Sequence, residues 1–310
     1  MVLRLAVTLA VLSACGTKLA ATGDDQTPTD DAAIDDSSVD TMPLPDAPGT
    51  FAPWGTPKKI DPAATAALNE DDGTLSGNGL EFIFGQQAAD GTKHLFVTKR
   101  ATVNDAFATA TLIAEIDVVG VGITSETPRF ADNDLTLYFS STRTGTLGSQ
   151  DIFKTTRTAL GAAWAVPAPF GTAANGPNSV ALEKAYTPCS TKYLVVRGGD
   201  LFEGDIGQPP ALAANLSDAA TAETGPFLAE NCTRVYFASP RDPLVGTKIY
   251  TATRATMADP WGTPVIYNEF LGVPGNHEDP WISTDGHTFV FAAKADNTAS
   301  TTKDEYIVTR

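Results

Sequence analysis

The sequence predicts an all-β chain made of five copies of one four-stranded unit, and three observations carry that prediction. A strand–turn–strand pattern recurs five times. A third strand follows each copy. The last copy lacks its fourth strand, and a matching segment stands near the other end of the chain. Units of about 41 to 57 residues with four short antiparallel strands each have the size and content of β-propeller blades.

The paired strands come first in each unit. They are "DDGTLSGNGLEFIF" (71–84), "ETPRFADNDLTLYF" (126–139), "EKAYTPCSTKYLVV" (183–196), "TGPFLAENCTRVYF" (224–237) and "EDPWISTDGHTFVF" (278–291). Each begins acidic or polar, passes through a short strand and a polar turn, and continues as an apolar–polar alternation of period two, the pattern of a half-buried strand. The third strands are "KHLFVTKR" (93–100), "QDIFKTTR" (150–157), "GDLFEGD" (199–205), "KIYTATR" (248–254) and "DEYIVTR" (304–310). Four of them end on an arginine: Arg100, Arg157, Arg254 and Arg310.

The fourth strands carry Trp and Pro, as in "AAWAVPAPF" (162–170) and "DPWGTPVIY" (259–267). The final unit stops at Arg310 without one, and "APWGTPKKI" (52–60) supplies the missing pattern. The expectation is a single five-bladed β-propeller over residues 51–310. Strand 52–60 completes the C-terminal blade and closes the ring, which removes the open sheet edges of an unclosed array. Trp54, Trp164 and Trp261, which recur in the fourth strands, read as structural.

The segments "ADNDLTLYFSSTRTGTLGSQDIF" and "STDGHTFVFAAK" resemble the TolB-like, or WD40-like, propeller repeat. The resemblance covers most of residues 70–310. It implies the propeller fold and leaves activity open, because propellers host many functions. The middle unit, "VVRGGDLFEGD", departs most from the pattern.

The N-terminal 50 residues read differently. Arg4 precedes the apolar run "LAVTLAVL", and small residues follow it, as in a secretory signal (1–14). Leu12-Ser13-Ala14-Cys15 resembles the lipobox of bacterial lipoproteins. That resemblance implies cleavage before Cys15, lipid attachment to its thiol and, with Gly16 next, an outer-membrane address in a Gram-negative cell. Residues 16–50 hold eight Asp against one Lys among Thr, Pro, Ala and Ser, too few apolar groups to bury a core. Residues 15–50 therefore read as a lipidated cysteine followed by a disordered acidic tether, about 33 Å long as a flexible coil.

The formal charge is −16 over 310 residues. So acidic a chain repels phosphates, which excludes nucleic acid as a partner, and contact with membrane is expected through the lipid alone. Cys189 and Cys232 occupy equivalent turns of adjacent units in an exported chain, an arrangement that suits a disulfide, with two separate buried thiols as the alternative.

No nucleophile elbow, phosphate loop or zinc spacing is present, so no cofactor, metal or catalytic residue is assigned. The best site candidates are the acids that open the blades: Asp71, Glu126, Glu183 and Glu278, with Glu223 shifted by one. The start of an innermost strand faces the channel mouth. Crowded carboxylates there would bind a cation or share protons, while a residue repeated in every blade also suits strand capping. Three residues after each acid the units vary, and Arg129, Tyr186 and Trp281 are candidate ligand contacts, or else packing between blades. With no catalytic constellation visible, the leading expectation is a non-enzymatic envelope propeller that binds a protein, peptide or glycan. The alternative is a glycan-active hydrolase with funnel carboxylates.

Overall fold

The computed structural model describes residues 51–61, 68–117, 122–131, 133–176, 183–270, 273–294 and 302–310. The expected signal, Cys15 and the acidic tether lie outside the described residues.

A short strand, β1 (Lys58–Lys59), precedes the first blade, which holds β2 (Glu70–Leu75), β3 (Glu81–Gln87), β4 (Lys93–Lys99) and β5 (Thr111–Leu112). The second blade holds β6 (Ser125–Ala131), β7 (Thr136–Ser141), β8 (Asp151–Thr156) and β9 (Ala168–Pro169). The third holds β10 (Glu183–Cys189), β11 (Lys192–Arg197), β12 (Asp200–Asp205) and β13 (Ala211–Leu212). The fourth holds β14 (Thr224–Ala229), β15 (Arg234–Ser239), β16 (Lys248–Thr253) and β17 (Val265–Ile266). The fifth holds β18 (His277–Ile282), β19 (Thr288–Lys294) and β20 (Lys303–Thr309). All neighbours pair antiparallel in this order, and β1 pairs with β20 through Lys58↔Ile307 and Lys59↔Tyr306. The ring is therefore a five-bladed propeller, closed by the N-terminal strand.

The middle strands show why the alternating sequence forms these sheets. Phe82, Phe84, Phe139, Phe237, Phe289 and Phe291 are all buried, and each belongs to a cluster that joins two neighbouring blades. Leu194 and Val196 of the third blade meet Phe237, Tyr250 and Trp261 of the fourth in one cluster. Burying each such side chain contributes on the order of 1.5–3 kcal/mol.

The repeated arginine and the repeated Trp form one device. The guanidinium of Arg157 lies 4.4 Å from the Trp164 ring, and that of Arg254 lies 3.9 Å from Trp261. Arg310 stands 4.2 Å from Trp54, so the pairing is completed across the ring closure. In the first blade Phe107 takes the Trp position, 4.5 Å from Arg100. The Nε of each arginine also donates to a turn carbonyl: Gly79 at 2.7 Å, Asp134 at 2.9 Å, Cys232 at 2.9 Å and Gly286 at 2.7 Å. Cation–π attraction and a charge-assisted hydrogen bond thus fix the same corner in four blades.

Cys189 and Cys232 are joined by a disulfide between the third and fourth blades, with Cα atoms 5.7 Å apart.

Candidate functional site at the channel mouth

The innermost strands β2, β6, β10, β14 and β18 touch one another around the ring. Each carries one register shift near its start: between Asp71 and Thr74, Glu126 and Arg129, Lys184 and Thr187, Thr224 and Phe227, and Glu278 and Trp281. Within each bulge one residue takes a left-handed backbone: Asp72 (φ 65°), Thr127 (φ 53°), Ala185 (φ 50°), Gly225 (φ 53°) and Asp279 (φ 53°). Four of the five are not glycine, and that strained conformation persists because packing around the axis enforces it. A bulge redirects the side chains beside it, and here it turns acids toward one mouth.

Asp71, Glu126 and Glu278 occupy equivalent places before the bulge, and their carboxylates meet in one charged network. Lys93 Nζ lies 2.6 Å from Asp71 Oδ1, 3.1 Å from Asp72 Oδ2 and 3.3 Å from Glu126 Oε2. Lys303 Nζ lies 2.6 Å from Glu278 Oε2 and 3.1 Å from Asp71 Oδ2. Lys184 Nζ lies 2.5 Å from Glu126 Oε1, to which Gln150 Nε2 donates at 2.7 Å. Deeper on the axis, the backbone N–H of Asp72 donates to Asp279 Oδ2 at 3.4 Å, and that of Gly73 donates to Glu305 Oε1 at 2.7 Å.

Burial and neighbouring charge split these carboxyls into two kinds. Burial raises the Asp279 carboxyl well above the usual range, and the charges of Asp72 and Asp71 push it further. Glu305 is raised well above its usual range by burial and by Asp279. Asp71 is raised by burial and by Asp72. Asp72 goes the other way: burial opposes its ionisation, but Lys93 and Lys303 together hold it well below the usual range. Burial likewise works against the Lys93 and Lys303 ammonium groups, and their carboxylate partners overcome it. The mouth therefore sets carboxylates against lysines, with carboxyls raised by burial behind them.

The other sequence candidates fall elsewhere. Lys184, not Glu183, stands where Asp71, Glu126 and Glu278 stand in their blades, because the third bulge begins one residue later than the acid spacing implies. Glu183 instead lies 3.0 Å from Arg197 Nε and accepts from the Gly176 N–H at 3.2 Å, and burial pushes its carboxyl up to about 7. Glu223 is held by Arg241 at 3.0 Å and Ser239 at 3.1 Å.

Arg129 is on the axis and only 1% exposed. Its Nη1 donates to the carbonyls of Pro128 at 2.9 Å, Gly73 at 3.3 Å and Asp72 at 3.4 Å. Tyr186 is packed 4.7 Å from Tyr138, 4.9 Å from Phe170 and 4.9 Å from Tyr193 by ring centres, between the second and third blades. Trp281 is buried 6.0 Å from Phe227, between the fourth and fifth blades. Tyr186 is interblade packing, and Trp281 also packs against Leu75, Phe82, Phe84 and Phe107 of the first blade, away from the channel mouth.

Sequence reasoning missed Asp72, Asp279, Lys93, Lys184, Lys303 and Glu305. A signal existed for some of them: Asp71-Asp72 and Glu278-Asp279 are acidic doublets, and Lys93 and Lys303 each open a third strand. Among the described residues no group of three or more His, Cys, Asp or Glu is arranged to hold a metal ion.

No protein-family model matches the chain, and no curated protein sequence is significantly similar to it. Solved structures do share its ring. An α-L-arabinofuranosidase from Lactobacillus brevis aligns at a TM-score of 0.54 and 12% identity, covering 81% of this chain and 93% of that one. A GH62 hydrolase in complex with xylotriose aligns at 0.53 and 10% identity, covering 79% and 92%. An endo-arabinase from Bacteroides thetaiotaomicron aligns at 0.53 and 11% identity, covering 79% and 95%. A TolB structure from Agrobacterium tumefaciens aligns at 0.44, too low to carry an argument.

At such identities the likeness establishes the fold alone. It nonetheless corrects the leading expectation of a non-enzymatic partner-binding disc. The three rings that align above 0.5 here are glycan hydrolases, and the carboxylate-lined mouth is the feature of the alternative reading.

Proposed function

We propose that the chain is a glycan-active hydrolase whose reaction takes place at the acid-lined channel mouth. One observation carries this reading. Asp72 and Asp279 are neighbours on the axis, linked at 3.4 Å through the Asp72 N–H, and their surroundings displace their carboxyls in opposite directions. Hydrolysis of a glycosidic bond uses such a pair: a protonated carboxyl to protonate the leaving oxygen and an ionised one to attack or to activate water. Asp279 suits the acid and Asp72 the base or nucleophile. Lys93 and Lys303 hold Asp72 charged and face the mouth, where ammonium groups donate to sugar hydroxyls. The related rings support a pentose-containing glycan as substrate.

The test is product release from arabinan, arabinoxylan and xylan by the full chain, followed by ion chromatography. Sugar release that disappears in Asp72→Asn and in Asp279→Asn supports the reading. Absence of release from all three polymers, or release that survives both substitutions, rejects it.

The N-terminal sequence supports a setting for that activity. We propose export and lipid anchoring at Cys15 in the outer membrane of a Gram-negative cell, on the strength of Leu12-Ser13-Ala14-Cys15 and Gly16. Metabolic palmitate labelling that is retained in Cys15→Ala rejects it.

A further inference from the structure

The seam between the fifth and first blades lacks an ion pair that two other seams carry. Where the first blade meets the second, Arg157 Nη1 reaches back to Glu81 of the preceding blade at 2.9 Å. Where the third meets the fourth, Arg254 Nη2 reaches back to Glu203 of the preceding blade at 2.7 Å. Arg100 is the matching arginine of the first blade, and its preceding blade is the fifth.

The strand registers identify what stands there instead. Thr288 opens β19 as Glu81 opens β3, each next to the turn that the following arginine caps. Ile307 faces Val290 as Glu203 faces Leu194. Both carboxylate positions are thus neutral at this seam. Among the described residues no carboxylate lies within ion-pair distance of Arg100.

The space left open is a cleft of about 910 Å³, at the strand ends opposite the acid mouth. Thr56, Lys58, Asn78, Arg100, Thr288 and Ile307 line it, and Phe107 and Trp281 form part of its apolar wall. Its size is at the upper end of ordinary ligand pockets, about 300–1,000 Å³. Three acids line it: Asp105 accepts from the Thr102 N–H at 2.9 Å, Asp285 accepts from the His287 N–H at 3.0 Å, and Asp61 is exposed and acts electrostatically on Lys59. Lys59 is paired with Asp304 at 2.6 Å, but Lys58 has no ion-pair partner among the described residues.

From this we infer that the seam cleft binds an acidic oligosaccharide, with a uronate carboxylate seated on Arg100 in place of the missing blade-to-blade glutamate. Arg100 and Lys58 supply the carboxylate contacts. The Thr and Asn side chains suit sugar hydroxyls, and the aromatic wall suits the apolar face of a ring. This site is separate from the channel mouth and stands without the hydrolase reading.

The experiment is calorimetric titration of the full chain with trigalacturonate, with maltotriose as the neutral comparator and hexaglutamate as the acidic peptide comparator. The expected result is saturable binding of trigalacturonate, weakened about tenfold by Arg100→Gln, by Lys58→Gln and by added salt. Lys58 is exposed, so Lys58→Gln keeps the test informative even where loss of the Arg100 turn cap disturbs folding. Absence of saturable binding, equal binding of maltotriose or hexaglutamate, or an affinity unchanged in both variants overturns the inference. Binding heat decides this site and product release decides the other, so the two readings fail separately.

Discussion

Arg157 Nη1 stands 2.9 Å from both carboxylate oxygens of Glu81, although 76 residues and a blade boundary separate the two in sequence. The Arg157 side chain is almost fully buried, and it is stacked on Trp164 as well. Removing the acid leaves a buried cation without its partner, which costs about 3–5 kcal/mol. Glu81→Ala should therefore shift the urea midpoint far below that of the parent, with an unchanged m-value. A shift under about 1 kcal/mol would show that the pair is not holding the blades together.

The Cys189–Cys232 disulfide closes a stretch of 43 residues and links two blades. In the chain-entropy account such a closure contributes about 4 kcal/mol. The double variant Cys189→Ser, Cys232→Ser should lose about that much stability, and reductant should destabilise the parent but not the variant. Equal melts with and without reductant in the parent would contradict this.

Glu183 gives a pH dependence whose sign is determined. Its carboxyl is raised by burial from the ordinary range to about 7, so the folded state holds a proton that the unfolded chain releases. Its contribution is complete below about 4.5 and is lost as pH rises toward 7. Glu183→Gln should flatten the stability profile across that interval. Carbon NMR of the parent should show one carboxyl titrating near 7, and a midpoint in the ordinary range refutes the assignment.

Asp279 and Asp72 should respond differently to the same substitution. A neutral amide suits a site whose burial and neighbouring charges disfavour the Asp279 carboxylate, so Asp279→Asn should keep the melting temperature within a few degrees. Asp72→Asn removes an ionised partner from Lys93 and should lower stability by about 1–3 kcal/mol. On the proposed reaction both lose roughly 10²–10⁴-fold in kcat. The alkaline limb of the parent rate should lie well above the ordinary carboxylate range, because burial and neighbouring charge raise the Asp279 carboxyl that must supply the proton. A rate that falls through the ordinary carboxylate range would remove Asp279 from the acid role.

The sequence by itself determined the blade count, the strand order and the closure of the ring. These follow from local periodicity: alternating strands such as 135–139 and 288–292 bury one face whatever surrounds them, and the Trp–Pro segment 52–60 had one incomplete blade to join. It also placed Asp71, Glu126 and Glu278 at the start of innermost strands. Only the tertiary structure decided which groups meet there. A left-handed residue in each bulge sets which side chain enters the mouth, and it moved Lys184 into the place expected for Glu183. Lys303 meets Asp71 across 232 residues of chain. No local pattern encodes that meeting, because it exists only once the fifth blade closes against the first. The opposed states of Asp72 and Asp279 follow from the same closure, since burial and neighbouring charge are properties of the assembled ring rather than of any strand.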